Sequence, residues 1–112
     1  MQSAETVYDV SVTDTAWDQL LEHARNLANV SSTAANKLVD DFVNKSATLN
    51  LMPERCPWLT HDMIPFQKYR KLFLGKYHIA LFEIRGNIVY ITAVVDGRQD
   101  YSWMLIQTPI QE

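Results

Sequence analysis

The chain has 112 residues, 47% of them hydrophobic and 21% charged, with 3 Gly and 4 Pro. That is the length of one compact domain spanning residues 1–112, with the composition of a folded chain rather than a disordered or collagen-like one. Its lone cysteine, Cys56, excludes an intramolecular disulfide and a cysteine-built zinc site, and its net charge of −3 speaks against a generic nucleic-acid binder, which carries a basic excess.

The opening residues 1–6 are polar and include Glu5, the wrong chemistry for a signal peptide. Val7 to Val12 alternates well enough for a short strand, with Val10 and Val12 on one side and Asp9 and Ser11 on the other. Thr13 or Asp14 then supplies a side-chain oxygen to cap a helix. Trp17, Leu20, Leu21, Ala24, Leu27 and Ala28 recur at helical offsets and form one apolar stripe. A turn over Asn29 to Ser32, with Ser31 and Ser32 as capping residues, leads into a second, antiparallel helix. Ala35, Leu38, Phe42 and Leu49 mark its apolar face, and its end is predicted near Asn50.

Met52 to Pro65 contains three prolines, Pro53, Pro57 and Pro65, and is expected to be a long, partly anchored loop. The period then changes from 3.6 to 2. Phe66–Leu74, Tyr77–Ile84 and Ile88–Val95 are β-branched or aromatic runs joined by Gly75-Lys76 and Arg85-Gly86-Asn87, connections so short that only antiparallel hairpins fit. The longest apolar run, Ile88 to Val95, falls far short of the roughly 20 residues of a membrane span, so no membrane partner and a cytoplasmic location are expected. The fold class is α+β and two-layered: an N-terminal strand, an antiparallel helix pair and a three-stranded antiparallel meander (β-α-α-β-β-β), with a short tail holding Tyr101, Trp103, Met104 and Leu105.

Charge divides unevenly along this order. Residues 1–65 hold four basic and nine acidic side chains, whereas residues 66–112 hold six basic and four acidic ones. Such a split suggests that one set of elements meets an anionic partner while the other stays solvated.

The run Tyr69-Arg70-Lys71-Leu72-Phe73-Leu74-Gly75-Lys76-Tyr77-His78-Ile79-Ala80-Leu81-Phe82-Glu83-Ile84, followed by Ile91 to Asp100 (ITAVVDGRQD), resembles the RelE/ParE superfamily of bacterial toxins, the plasmid stabilisation family. The resemblance covers roughly residues 7–102 and implies a growth-inhibiting toxin of a type II toxin–antitoxin module, neutralised by a cognate antitoxin. RelE-like members cut mRNA in the ribosomal A site; ParE-like members poison DNA gyrase. Arg70 and Arg98 fall on basic positions of the RelE-like pattern. Ile79 stands near a position where RelE carries another arginine, and Asp96 stands where ParE-like chains often carry His. The Gly97-Arg98-Gln99-Asp100 ending looks more ParE-like. A ParE-like gyrase inhibitor is therefore the expected function; the alternatives are a RelE-like ribosome-dependent mRNA endoribonuclease and an inactive homologue serving as a binding module. The resemblance implies no cofactor, names gyrase or ribosome and mRNA as targets, and leaves room for a homodimer.

Cleavage of RNA through its 2′-OH needs a base, an acid and cations for the crowded phosphate. If Arg70 and Arg98 sit on the first and third strands of the meander, two spacings of about 4.8 Å put their backbones roughly 10 Å apart, and both guanidinium arms can bracket one phosphate. The bland reading gives each a carboxylate partner instead, with Asp96 or Asp100 serving Arg98. Tyr101 is the nearest match to the family's late general acid/base position, and His78, mid-strand, is either a proton carrier or a packed core histidine. His61 lies on the loop and His23 on the polar side of the first helix; histidines so spaced carry no metal pattern, and none is expected. Lys68, Lys71 and Lys76 are edge-protecting charges or an approach surface for RNA or another target. Trp58 and Trp103, with Tyr101, either close the open end of the core or anchor the antitoxin. Cys56 has no base beside it and is not expected to be a nucleophile.

Overall fold

The computed structural model describes residues 6–102 and Leu105. Strand β1 (Asp9–Val12) leads into helices α1 (Asp14–Ala28) and α2 (Ser32–Ala47), and strands β2 (Arg70–Leu74), β3 (His78–Arg85) and β4 (Ile88–Asp96) follow. The sheet order is β1-β4-β3-β2, with β1 parallel to β4 and the other pairs antiparallel. This is the β-α-α-β-β-β arrangement that the periodicities predict. Among the described residues no helix is long and apolar enough to cross a membrane.

Local chemistry fixes the element ends. The Thr13 hydroxyl accepts from the Ala16 amide at 3.1 Å, while its own amide donates to Ile91 at 3.0 Å, so one residue caps α1 and ties it to β4. Ser31, not Ser32, caps α2 by accepting from the Ala34 amide at 3.1 Å. Gly75 and Gly86 turn the two hairpins at φ of 53° and 60°, a region that costs a residue with a Cβ. A 3₁₀ turn, Thr48–Asn50, carries α2 to the end expected for it.

Even-numbered residues of β2 and β3 face the helices. Leu72, Leu74, Ala80 and Phe82 pack with Val89, Ile91 and Val94 beneath Ala16, Leu20, Leu38 and Phe42. Strict alternation along β4 would turn Ile91 and Val94 to opposite faces. A β-bulge prevents this: Leu81 opposes Ala93 but Phe82 opposes Ile91, leaving Thr92 as the extra residue.

Three expectations are corrected. The strand expected from Phe66 begins only at Arg70, because Gln67 takes a left-handed turn at φ 52° and leaves Phe66 85% exposed. Val7 makes an isolated bridge to Leu51, so β1 starts at Asp9. The α1 stripe is narrower than its spacing suggests, with Leu20 fully buried and Trp17 and Leu21 exposed.

The second face of the sheet is also partly covered. Leu59 and Ile64 of the proline-rich segment pack with Tyr69, Ile79, Leu81, Ala93 and Val95, and Tyr101 and Leu105 rest against them. That segment is anchored through Leu59 N to Tyr69 O at 2.7 Å and Lys71 N to Pro57 O at 2.8 Å.

Candidate functional site

Arg70 opens β2, and an isolated bridge sets it opposite Trp58. Its Nη1 donates to the carbonyl oxygens of Glu54 at 2.9 Å and Cys56 at 2.7 Å, and its guanidinium carbon lies 3.7 Å from the centroid of the Trp58 ring. The Glu54 carboxylate accepts from the Tyr8 hydroxyl at 2.6 Å, which lowers the pKa of Glu54 and raises that of Tyr8. Burial pushes the Cys56 thiol up, leaving it a poor nucleophile. A cleft of about 510 Å³ opens here, lined in part by Trp58, Phe66, Lys68 and Glu83. Burial raises the Glu83 carboxyl, and the charges of Lys68 and Arg85 work the other way.

A second cleft, of about 480 Å³, lies between α1 and the far end of the sheet. His78 opens β3 directly across from Asp96, the last residue of β4. The Asp96 carboxylate accepts from Arg98 at its backbone N (2.9 Å), Nε (3.1 Å) and Nη2 (2.8 Å). These bonds hold Asp96 down at about 2 and raise Arg98. The guanidinium also sits 4.0 Å from the Tyr77 ring centroid.

His78 is buried, and its ring meets that of His23 edge-on with centroids 4.9 Å apart. Burial, then the proximity of His23, lowers its pKa, so it is neutral at neutral pH. His23 was expected at the surface but is half-buried, with its Nε2 3.1 Å from the Val94 carbonyl oxygen. A carbonyl only accepts, so Nε2 carries the proton. Gln19 completes the arrangement by accepting from the Val94 amide through Oε1 at 2.8 Å. Since β1 pairs with β4 only as far as Ile91, α1 supplies the partners for the edge beyond it.

The register separates Arg70 from Arg98. Arg70 pairs with Phe82, whereas Arg98 lies past Asp96, which is level with His78 and Leu74. Four residues along β2 at about 3.3 Å each put them roughly 13 Å apart in the strand direction alone, and two strand spacings add to that. They do not bracket one phosphate. Arg98 and His78, by contrast, line one cleft.

The remaining candidates are scattered. Tyr101 packs against the second face of the sheet, where burial raises its phenol. Lys71 and Lys76 lie along β2 and in the β2–β3 turn, and Lys68 lines the Arg70 cleft. Trp58 is half-buried with Arg70 stacked on it, and Trp103 lies outside the described residues. His61 is exposed and accepts from the Met63 amide through Nδ1 at 3.0 Å. His23 and Gln19 are the site residues the sequence reading missed; no local pattern marks them, since their partner lies more than 70 residues away.

A family model described as ParE toxin of type II toxin-antitoxin system, parDE, matches residues 10–101. The chain belongs to the ParE toxin family. As a ParE-family toxin it also shares its fold with a solved chain titled "Chromosomal ParDE TA system from P. aeruginosa", at a TM-score of 0.67 and 18% identity, over 81% of this chain and 97% of that one. No curated protein matches the sequence. The ParE match spans both clefts, taking in Trp58, Arg70, His78 and Arg98, and ends at Tyr101.

Proposed function

We propose that this ParE-family toxin inhibits DNA gyrase and is held inactive by a cognate antitoxin. The separation of Arg70 from Arg98 supports gyrase poisoning over RNA cleavage. A phosphate-cleaving site needs convergent cations, and here one guanidinium is spent on two loop carbonyls and Trp58, the other on Asp96 and Tyr77. An antitoxin segment has a seat of mixed apolar and charged lining in the cleft beside Trp58, where Phe66 is almost fully exposed. The test is a supercoiling assay with purified gyrase. Loss of supercoiling, with gyrase-linked DNA breaks and rescue by the cognate antitoxin, is the expected result; undiminished supercoiling at saturating protein overturns the reading.

A second reading rests on the cleft that joins His78, His23 and Arg98. A neutral imidazole beside a guanidinium is a proton carrier next to a phosphate-binding cation. Cleavage of mRNA on translating ribosomes, lost in both His78→Ala and Arg98→Ala, would favour this reading over gyrase inhibition.

A further inference from the structure

All six basic residues of the segment 66–112 lie over aromatic rings. Two of the contacts are close, Arg70 to Trp58 at 3.7 Å and Arg98 to Tyr77 at 4.0 Å, and the other four lie between 5.5 and 5.9 Å, within the reach of a cation–π attraction. Two of the six lie at or beside the Arg70 cleft: Arg70 on half-buried Trp58, and Lys68 beside buried Tyr69, its neighbour in the chain. The others leave their rings in reach of solvent. Phe73 is 51% and Tyr77 43% exposed, an unusual state for two large aromatics set beside charged groups.

These two rings flank the β2–β3 turn, at the end of the sheet where β4 also leaves. Lys71 Nζ stands 5.5 Å from the Phe73 centroid, while Lys76 Nζ (5.7 Å) and the Arg98 guanidinium (4.0 Å) both attend Tyr77. The Gly97 amide donates to the Tyr77 carbonyl at 2.7 Å and so fastens the β4 exit to the turn. Among the described residues neither Lys71 nor Lys76 forms an ion pair with a carboxylate; of the three cations only Arg98 does, with Asp96.

We infer that this end of the sheet binds single-stranded nucleic acid, with bases on Phe73 and Tyr77 and phosphates at Lys71 and Lys76. Unstacked bases offer flat faces to exposed rings, and the intervening phosphates meet cations already held beside them. A duplex keeps its bases stacked and cannot use the rings. A purely acidic peptide such as polyglutamate can satisfy the cations but has no flat or apolar group to place on the aromatics. The surface is independent of the gyrase reading and of the antitoxin seat beside Trp58.

Fluorescence anisotropy of the full chain with a labelled oligothymidylate about 20 nucleotides long, more than one small domain covers, tests this directly. Two phosphate contacts predict a slope of log K against log salt of roughly −1.4. Tyr77→Ala is expected to weaken binding about tenfold, Phe73→Ala several-fold, and Lys71→Glu with Lys76→Glu to abolish it. All four side chains are solvent-accessible, and unchanged thermal melting shows that each variant folds. Absence of binding at low salt, indifference to both aromatic substitutions, or equal displacement by polyglutamate overturns the inference. Supercoiling measured on the same variants separates the two readings: gyrase inhibition without oligonucleotide binding sinks this one alone, and binding without gyrase inhibition sinks the other.

Discussion

His23 and His78 meet edge-on, with ring centroids 4.9 Å apart, where α1 crosses the open edge of β4. Burial holds His78 below its ordinary value of 6.5, and His23 adds to the effect. The unfolded chain therefore takes up a proton at a higher pH than the native one. The stability that neutral His78 contributes is fully present above about pH 6.5 and is lost as pH falls below it toward the lowered native value. Urea midpoints are expected to hold steady around neutrality and decline through the mildly acidic range, and His78→Gln is expected to flatten that decline. Asp96 is clear of this window: its pair with Arg98 is lost only as pH falls from 3.8 toward about 2.

Arg70 acts as a fastener for the proline-rich segment. It satisfies the carbonyls of Glu54 and Cys56 and stacks on Trp58, three contacts from one side chain. Arg70→Ala strips two carbonyls of their donor and is expected to cost about 1–3 kcal/mol in urea unfolding. Arg70→Lys should recover less than half of this, since an ammonium lacks the flat fork that bonds and stacks together. Limited proteolysis should cut Arg70→Ala first between residues 56 and 66. Full stability in Arg70→Ala would mean that the segment is held by Leu59 and Ile64 alone.

What the sequence reveals and what it hides differ by range. Leu20, Leu38 and Phe42 declare a helix pair because their spacing is local, and Gly75 and Gly86 declare the hairpins because the turns need a positive φ. The parallel pairing of β1 with β4 and the bulge at Thr92 come from registers set across most of the chain, which no window of residues contains. Arg98 and its partner Asp96 were legible, being two residues apart. Arg70 was legible as a basic residue on a strand, but its backbone acceptors carry no side-chain signature. The proline-rich segment read as a loop, and its role as cover for the second sheet face emerges only with Leu59 and Ile64 in place over Ile79 and Leu81.

Gly97 leaves little room for a side chain. A Cβ there would stand 3.0 Å from both the Ile79 Cδ1 atom and the Tyr77 carbonyl oxygen. The side chain can yield, but the carbonyl is the acceptor of the Gly97 amide itself at 2.7 Å. Gly97→Ala should therefore disturb this bond and lower stability by about 1–2 kcal/mol, seen as a drop in melting temperature. A crystal structure of the variant with the bond between residue 97 and Tyr77 unchanged, together with an unaltered melting temperature, would refute the steric account.

The stretch of β4 beyond β1 is an edge, and an edge strand with unpaired amides invites pairing with another chain. Gln19 and His23 prevent this by occupying the amide and carbonyl of Val94 with side chains from α1. Gln19→Ala leaves a part-buried N–H without its partner and is expected to cost about 1–2 kcal/mol. Gln19→Ala with His23→Ala frees both groups of Val94 and should add concentration-dependent association, detectable by light scattering. The two residues serve one backbone unit, so their effects should not be additive, and a double-mutant cycle measures the coupling. Additive losses with a fully monomeric double variant would show that α1 covers this edge through its apolar contacts rather than through Gln19 and His23.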